Sequence, residues 1–472
     1  MGLRPDETQS PGVLWKMIRA AVRCGSYREA SQELEESAEL CIQPKTLERA
    51  VRRLGGERVD QRDAEVEAWK QLPLPVQQRG CPEGKVAPTV AVVQFDCGRM
   101  LIRDRKAKCN AAKNVAAKSV SLENVAEQVA ETLAEQEADR EALAEAEEKG
   151  ASETIPGDKN TVENPSRSRY WRDDKVGVLL TMHSEEHESD PCPDIPVTFL
   201  DRQRTPKLVQ ELGHSSGGAR EAAQQPATTD TAATGTHRPG APEPLVKSVV
   251  ASRACSAVFG AILAAAAWCR GFAGARRKAF VADGAAMNWT MWARYFSHYV
   301  AILDFIHALQ YVFAAAMAGR SFDEGWAIYC RWIQAIWAGR VDDVLGELRA
   351  RQEEIGLPPP KASATDPRQT VATTIGYLAT HRGRMDYPRY RCLGLPIMSS
   401  YVESAVKQIG RRVKATEKFW CEAGAEAILQ LRADYLSDTA PLERFMTRRT
   451  ESATGHRTYR RNPPPASKHC AA

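Results

Sequence analysis

The spacing of apolar and polar positions divides the chain into helical and extended stretches. Near the start, Ser26-Tyr27-Arg28-Glu29 has the form of a capping box, which predicts a helix from Tyr27 to about Leu40. Pro44 suits the first position of a second helix, expected to end at Gly55-Gly56. On that helix Leu47, Val51 and Leu54 form an apolar stripe, while Lys45, Arg49 and Arg52 form a basic one at helical spacing. The pair reads as a helix-turn-helix with a basic outer face, although a helix hairpin with solvated arginines has the same pattern.

The period then shortens. Thr89 to Asp96 is a β-rich run, Cys97-Gly98 reads as a turn, and Arg99 to Arg103 reads as a second strand, so Asp96 is expected at the tip of a hairpin. Lys175 to Met182, nearly continuous in apolar residues, is a third strand. Val246 to Cys269 reads as a buried helix, and its apolar part from Ala254 is shorter than the ~20 residues that cross a bilayer. A fourth strand, Lys278 to Ala282, ends in Asp283-Gly284. An aromatic helix through Trp289, Trp292 and Phe296 follows, and then a fifth strand, Tyr299 to Leu303, ending in Asp304 with His307 just beyond. From Ile306 to about Glu354 the pattern is helical, with its end at Gly356-Leu357-Pro358-Pro359-Pro360. The last regular element is expected after Gly394-Leu395-Pro396. On it Val402, Val406, Ile409 and Val413 face the core, and Glu403, Lys407 and Lys414 share a second stripe with Arg411 beside it.

Composition narrows the classes. The 472 residues carry a net charge of +4, too little for a histone-like polycation, so any nucleic-acid contact must be a local patch. The 12 cysteines form no C-x-x-C pair and no signal-peptide pattern opens the chain, which fits free thiols in a cytoplasmic protein. His183, His187 and Cys192 resemble a zinc site but lack a fourth ligand, and the tryptophans read as core packing. Val120 to Lys149 holds ten acidic residues against Arg140 and Lys149 and reads as a solvated helix. Gly213 to Pro244 reads as a linker, and the chain beyond Arg444 as a basic tail.

One lone aspartate at a strand end is more often a turn former than a ligand, so the set matters more than any member. Asp96, Asp283 and Glu403 come from separate elements that can converge, and clustered hard oxygen donors select Mg²⁺ or Mn²⁺ over zinc. Two such ions can hold the attacking and leaving oxygens of a phosphodiester.

The strings VVQFDCGRMLIRD, FVADGAAMNWTMW, ILDFIHALQYVFAAA and GLPIMSSYVESAVKQIGRRVKATEKFW resemble those of the DDE transposases of bacterial insertion sequences. That resemblance implies an α/β fold: an RNase H-like mixed sheet core with a large all-α insertion and an N-terminal helical helix-turn-helix domain. It makes Asp96, Asp283 and Glu403 the catalytic, metal-holding acids and implies two Mg²⁺ ions, with Mn²⁺ as a substitute. Asp304 and His307 match a D-x-x-H element of Mutator-like transposases and are expected beside the active centre. The implied division is 1–85 for DNA binding, 86–304 for the first part of the core with inserts at 106–170 and 213–244, 305–393 for the helical insertion, 394–438 for the last core helix and 439–472 for the tail. The implied function is binding of terminal inverted repeats, metal-dependent strand cleavage and strand transfer into target DNA by a homo-oligomer, with no membrane partner. Lys45, Arg49 and Arg52, and Lys407, Arg411 and Lys414, are the expected DNA contacts. The alternative is a transposase-derived DNA-binding protein that represses or organises its site without catalysis.

Overall fold

The computed structural model describes residues 9–102, 171–216, 240–415 and 418–451. The acidic insert at 106–170, most of the linker at 213–244 and the tail beyond residue 451 lie outside the described residues.

The protein is mixed α/β, built on a six-stranded mixed sheet. β1 (Val90–Ile102), β2 (Trp171–His183) and β3 (Glu243–Ser252) are antiparallel neighbours. β4 (Arg277–Ala282) lies parallel to β1 on its other side, and β5 (Val300–Leu303) parallel to β4. The order is therefore β3-β2-β1-β4-β5, with the short β6 (Phe419–Trp420) pairing the far end of β1.

Four helices precede the sheet: α1 (Pro11–Arg23), α2 (Tyr27–Ala38), α3 (Pro44–Lys70) and α4 (Leu74–Arg79). α5 (Arg204–Ser216) lies between β2 and β3, α6 (Ser256–Cys269) between β3 and β4, and α7 (Ala286–Tyr295) between β4 and β5. The helical segment after β5 comprises α8 (Phe305–Met317), α9 (Phe322–Trp337), α10 (Val341–Ile355), α11 (Pro367–His381) and α12 (Tyr387–Cys392). Then come α13 (Ser400–Val413), α14 (Glu422–Tyr435) and α15 (Pro441–Glu451). Trp326, Trp332 and Trp337 of α9 are buried in the core, as are Trp289 and most of the apolar residues of α6. No helix among the described residues is long and apolar enough to cross a membrane.

Several elements differ from the reading of the sequence. There is no hairpin at Cys97-Gly98: β1 runs straight through it, pairing with β2 in one register from Val90 to Leu101. Asp96 is thus inside a strand, not at a tip. Gly98 is there for room, because a Cβ would stand 2.8 Å from the Oδ2 of the buried Asp174 opposite. The expected helix from Val246 is split, its first residues forming β3 and only Ser256–Cys269 being helical. Edge pairing to β2 outweighs the weak local preference of the Val-Val-Ala-Ser run.

The second helix does not end at Gly55-Gly56 but continues as α3 to Lys70. Gly55 packs on α14, where a Cβ would lie 2.6 Å from the Ala427 Cβ, so this glycine lets two helices approach closely and does not terminate one. Arg58–Asp434 at 2.9 Å and Arg62–Glu426 at 2.8 Å, with side chains largely buried, fix the same interface. The element carrying Glu403 is not the last, as α14 and α15 follow it, and the chain beyond Arg444 continues as helix to Glu451 with Arg449 bonded to Glu57 at 2.7 Å.

The N-terminal helices share one hydrophobic core with the sheet. Two arginines join them: Arg412 Nε donates to the Ala21 carbonyl at 2.7 Å and Arg432 Nη1 to the Val22 carbonyl at 2.6 Å. Both satisfy last-turn carbonyls of α1 and place cations at its negative end.

Candidate metal centre

Register places three acids in one row. Gln94 pairs with Val281 and Ala282 with Leu303, so two steps on from Gln94 and one step on from Ala282 the chain reaches Asp96, Asp283 and Asp304 on three adjacent parallel strands or their ends. The row lies where β4 and β5 stop, so side chains there leave the sheet. Successive strand residues alternate between faces. Phe95 packs on Phe259 of α6, with ring centroids 5.4 Å apart, while Gln94 bonds the lead-in of α13, so Asp96 shares the α13 face.

Each acid is held differently. Asp96 Oδ1 accepts the Cys97 N–H at 2.7 Å. Asp283 Oδ1 accepts the Ala285 N–H at 3.0 Å and the side-chain amide of Asn288, in the first turn of α7. Asp304, fully buried, caps α8 by accepting the Ile306 N–H at 3.3 Å with Oδ1, and its Oδ2 lies 2.6 Å from His307 Nδ1. Glu403 is in the first turn of α13. Ligand atoms of Asp304, His307 and Glu403 lie within 4.8 Å of one another, a group that could hold a metal ion.

The electrostatics tie these residues into one centre. Burial pushes the Asp96 carboxyl up to about 7, Asp283 and Glu403 add to the rise, and the Cys97 N–H and His307 oppose it. Burial also raises Glu403, with Asp304 adding to it and His307 and Lys407 pulling down. For His307 burial acts downward, but the hydrogen bond and charge of Asp304, with Asp283 and Glu403 behind, lift the imidazole to about 10. Mutually repelling buried carboxylates around one imidazolium form an anionic nest suited to a cation.

Thus the structure brings Asp96, Asp283, Asp304, His307 and Glu403 together, although the tightest group pairs Glu403 with Asp304 and His307, not with the first two aspartates. Lys407 and Arg411 are exposed on α13 and Lys414 is exposed just past its end, with its ammonium 5.8 Å from the Trp171 ring. Lys45, Arg49 and Arg52 are exposed on α3, and Lys45 is bonded to Glu48 at 2.7 Å.

Sequence reading missed Gln94, Ser399, Asn288 and Tyr377. Gln94 did leave a signal, as the one polar residue in the run from Val90 to Phe95. Tyr377 of α11 packs against Gly284, where a glycine Cβ would strike its ring, so the helical segment walls the centre beside Asp283. His183, His187 and Cys192 form no metal group among the described residues. Their loop is instead stapled to α12 by His187 N–H to the Cys392 carbonyl at 2.8 Å and by Asp190 to Arg391. A cavity of about 610 Å³, lined by Arg58, Thr181, Ile262 and Arg270, opens away from the acids, on the α6 face of the sheet. It contains none of the five clustered residues.

Compared with known proteins, the chain matches no family model and no curated sequence.

Proposed function

We propose that the protein is a DDE-type DNA transposase with an RNase H-like core, cutting and joining DNA at the ends of a mobile element. The observation that carries this reading is the row of Asp96 and Asp283 on adjacent parallel strands, met on the same face by Glu403 from α13. The sheet order and the helical segment between β5 and α13 are compatible with such a core interrupted by an insertion.

The donor chemistry fits Mg²⁺, with Mn²⁺ as substitute. Asp96, Asp283 and Glu403 offer hard oxygens, and the raised carboxyls mark negative charge that the protein alone leaves under-compensated. Bound there, two divalent ions would stabilise charge on the attacking and leaving oxygens of a phosphodiester. His307 keeps a positive charge beside that cluster through its bond to Asp304. Lys407, Arg411 and Lys414 line the outer face of α13, where they neutralise strand phosphates, while Lys45, Arg49 and Arg52 hold the element's terminal repeat. Because two ends must be joined, the working form is a homo-oligomer.

The test is cleavage of labelled element-end DNA in Mg²⁺ or Mn²⁺ by wild type and by Asp96→Ala, Asp283→Ala and Glu403→Ala. Wild type alone should cut and join. Equal cutting by all four would remove the assignment, and end binding without any cutting would favour a DNA-binding protein derived from such an enzyme.

A further inference from the structure

Helix α13 starts without a cap of its own. The Ser399 side chain makes no hydrogen bond to the first-turn N–H groups; it engages the Glu403 carboxylate instead. The orphan donors that every helix start presents must be met elsewhere. Gln94, 0% exposed on β1, accepts the Val402 N–H at 3.1 Å with Oε1 and donates through Nε2 to the Met398 carbonyl at 3.0 Å. Asp304 Oδ1 accepts the Ser399 N–H at 3.2 Å, and the Phe305 N–H donates to the Ile397 carbonyl at 2.9 Å. The Val402 N–H, which also reaches the Ser399 carbonyl at 3.0 Å, is thus shared with a strand residue 308 positions earlier.

We propose that Gln94 and Asp304 are positioning residues that set Glu403, clamping the start of α13 to β1, which carries Asp96, and to the end of β5, beside the Asp283 end of β4. The inference rests on the reading of the acids as a metal centre. A Leu or Met at position 94 would suit the apolar strand, and a buried amide there is costly unless both of its atoms are bonded. Both are, and both bonds go to residues within five positions before Glu403. Gln94 and Asp96 stand two apart on the same strand face, so the cap and the acid move as one body. Asp304 accepts two backbone N–H groups with Oδ1 and meets His307 with Oδ2, which ties the start of α13 to the end of β5.

The experiment titrates Mn²⁺ into the full chain by electron paramagnetic resonance, with thermal melts as a check on folding. It compares wild type, Gln94→Met, Glu403→Gln and the double variant. Gln94→Met should weaken Mn²⁺ binding by about ten- to a hundredfold, the usual range for residues that orient ligands. The double variant should bind no more weakly than Glu403→Gln, because the clamp acts only through Glu403. A folded Gln94→Met with unchanged affinity, or losses that simply add, would overturn the proposal. If Gln94→Met does not fold, Gln94→Asn keeps a buried amide but withdraws both of its atoms by one methylene; a loss is expected, and none would overturn the clamp. Asp304→Asn should keep the number of bound ions, and losing one would make Asp304 a ligand. Wild type without Mn²⁺ binding would remove the metal reading and the clamp together.

Discussion

His307 Nδ1 stands 2.6 Å from Asp304 Oδ2, and that bond, with the charges of Asp283 and Glu403, holds the imidazole protonated against the cost of its burial. A histidine whose folded value lies at about 10, above its ordinary 6.5, contributes stability that is full below 6.5 and is lost as pH rises through about 10. Ring nitrogen NMR shifts should therefore report an imidazolium at pH 8 in the metal-free protein. A neutral ring there would contradict this electrostatic picture.

Asp96 follows the same sign from a different cause. Burial and then Asp283 raise it to about 7 from 3.8, so its contribution to stability is present below 3.8 and lost as pH rises through about 7. Cation binding must displace that proton. Mn²⁺ affinity should consequently be about tenfold weaker at pH 6 than at pH 8, and the Mn²⁺-induced rise in melting temperature should grow over the same interval. An affinity independent of pH would mean that Asp96 is not displaced from a protonated state.

Adjacent glycines on α3 should respond with opposite sign. At Gly55 a Cβ meets Ala427 backbone and side-chain atoms at 2.6 to 2.8 Å, whereas at Gly56 nothing lies within 4 Å. Gly55→Ala should lose about 1–3 kcal/mol by overpacking. Gly56→Ala should gain up to about 1 kcal/mol from helix propensity. Urea denaturation checks both, and equal effects would mean that α3 and α14 are not in close contact.

Neighbouring arginines on α13 separate binding from folding. Arg411 is exposed, while Arg412 is 2% exposed, between the Tyr27 and Trp420 rings at 4.6 and 5.1 Å. Arg412→Ala should cost about 2–5 kcal/mol, because it leaves a cavity between two rings and deprives the Ala21 carbonyl of its donor. Arg411→Ala should leave stability within about 0.5 kcal/mol and weaken DNA binding.

Replacing Arg49 and Arg52, both exposed on α3, should weaken DNA binding and reduce its logarithmic salt slope by about 2 without changing the melting temperature. An unchanged slope would move recognition off this face.

Much of the centre was legible along the chain because its parts are locally encoded. Ser26 caps α2 by accepting the Glu29 N–H, Pro44 opens α3, and Asp304 caps α8, each as the residue types at those positions require. The ends of β4 and β5 likewise follow from short apolar runs that stop at Asp283 and Asp304. Tertiary structure decided the rest, since Gly55-Gly56, Cys97-Gly98 and Val246 to Ser252 have backbones compatible with more than one state. Only their partners, Ala427 on α14, Asp174 on β2 and the paired edge of β2, select among them. Gln94 shows the limit most clearly: its amide gains its role as a cap only when a helix 308 residues away arrives beside it, and no local preference encodes that meeting.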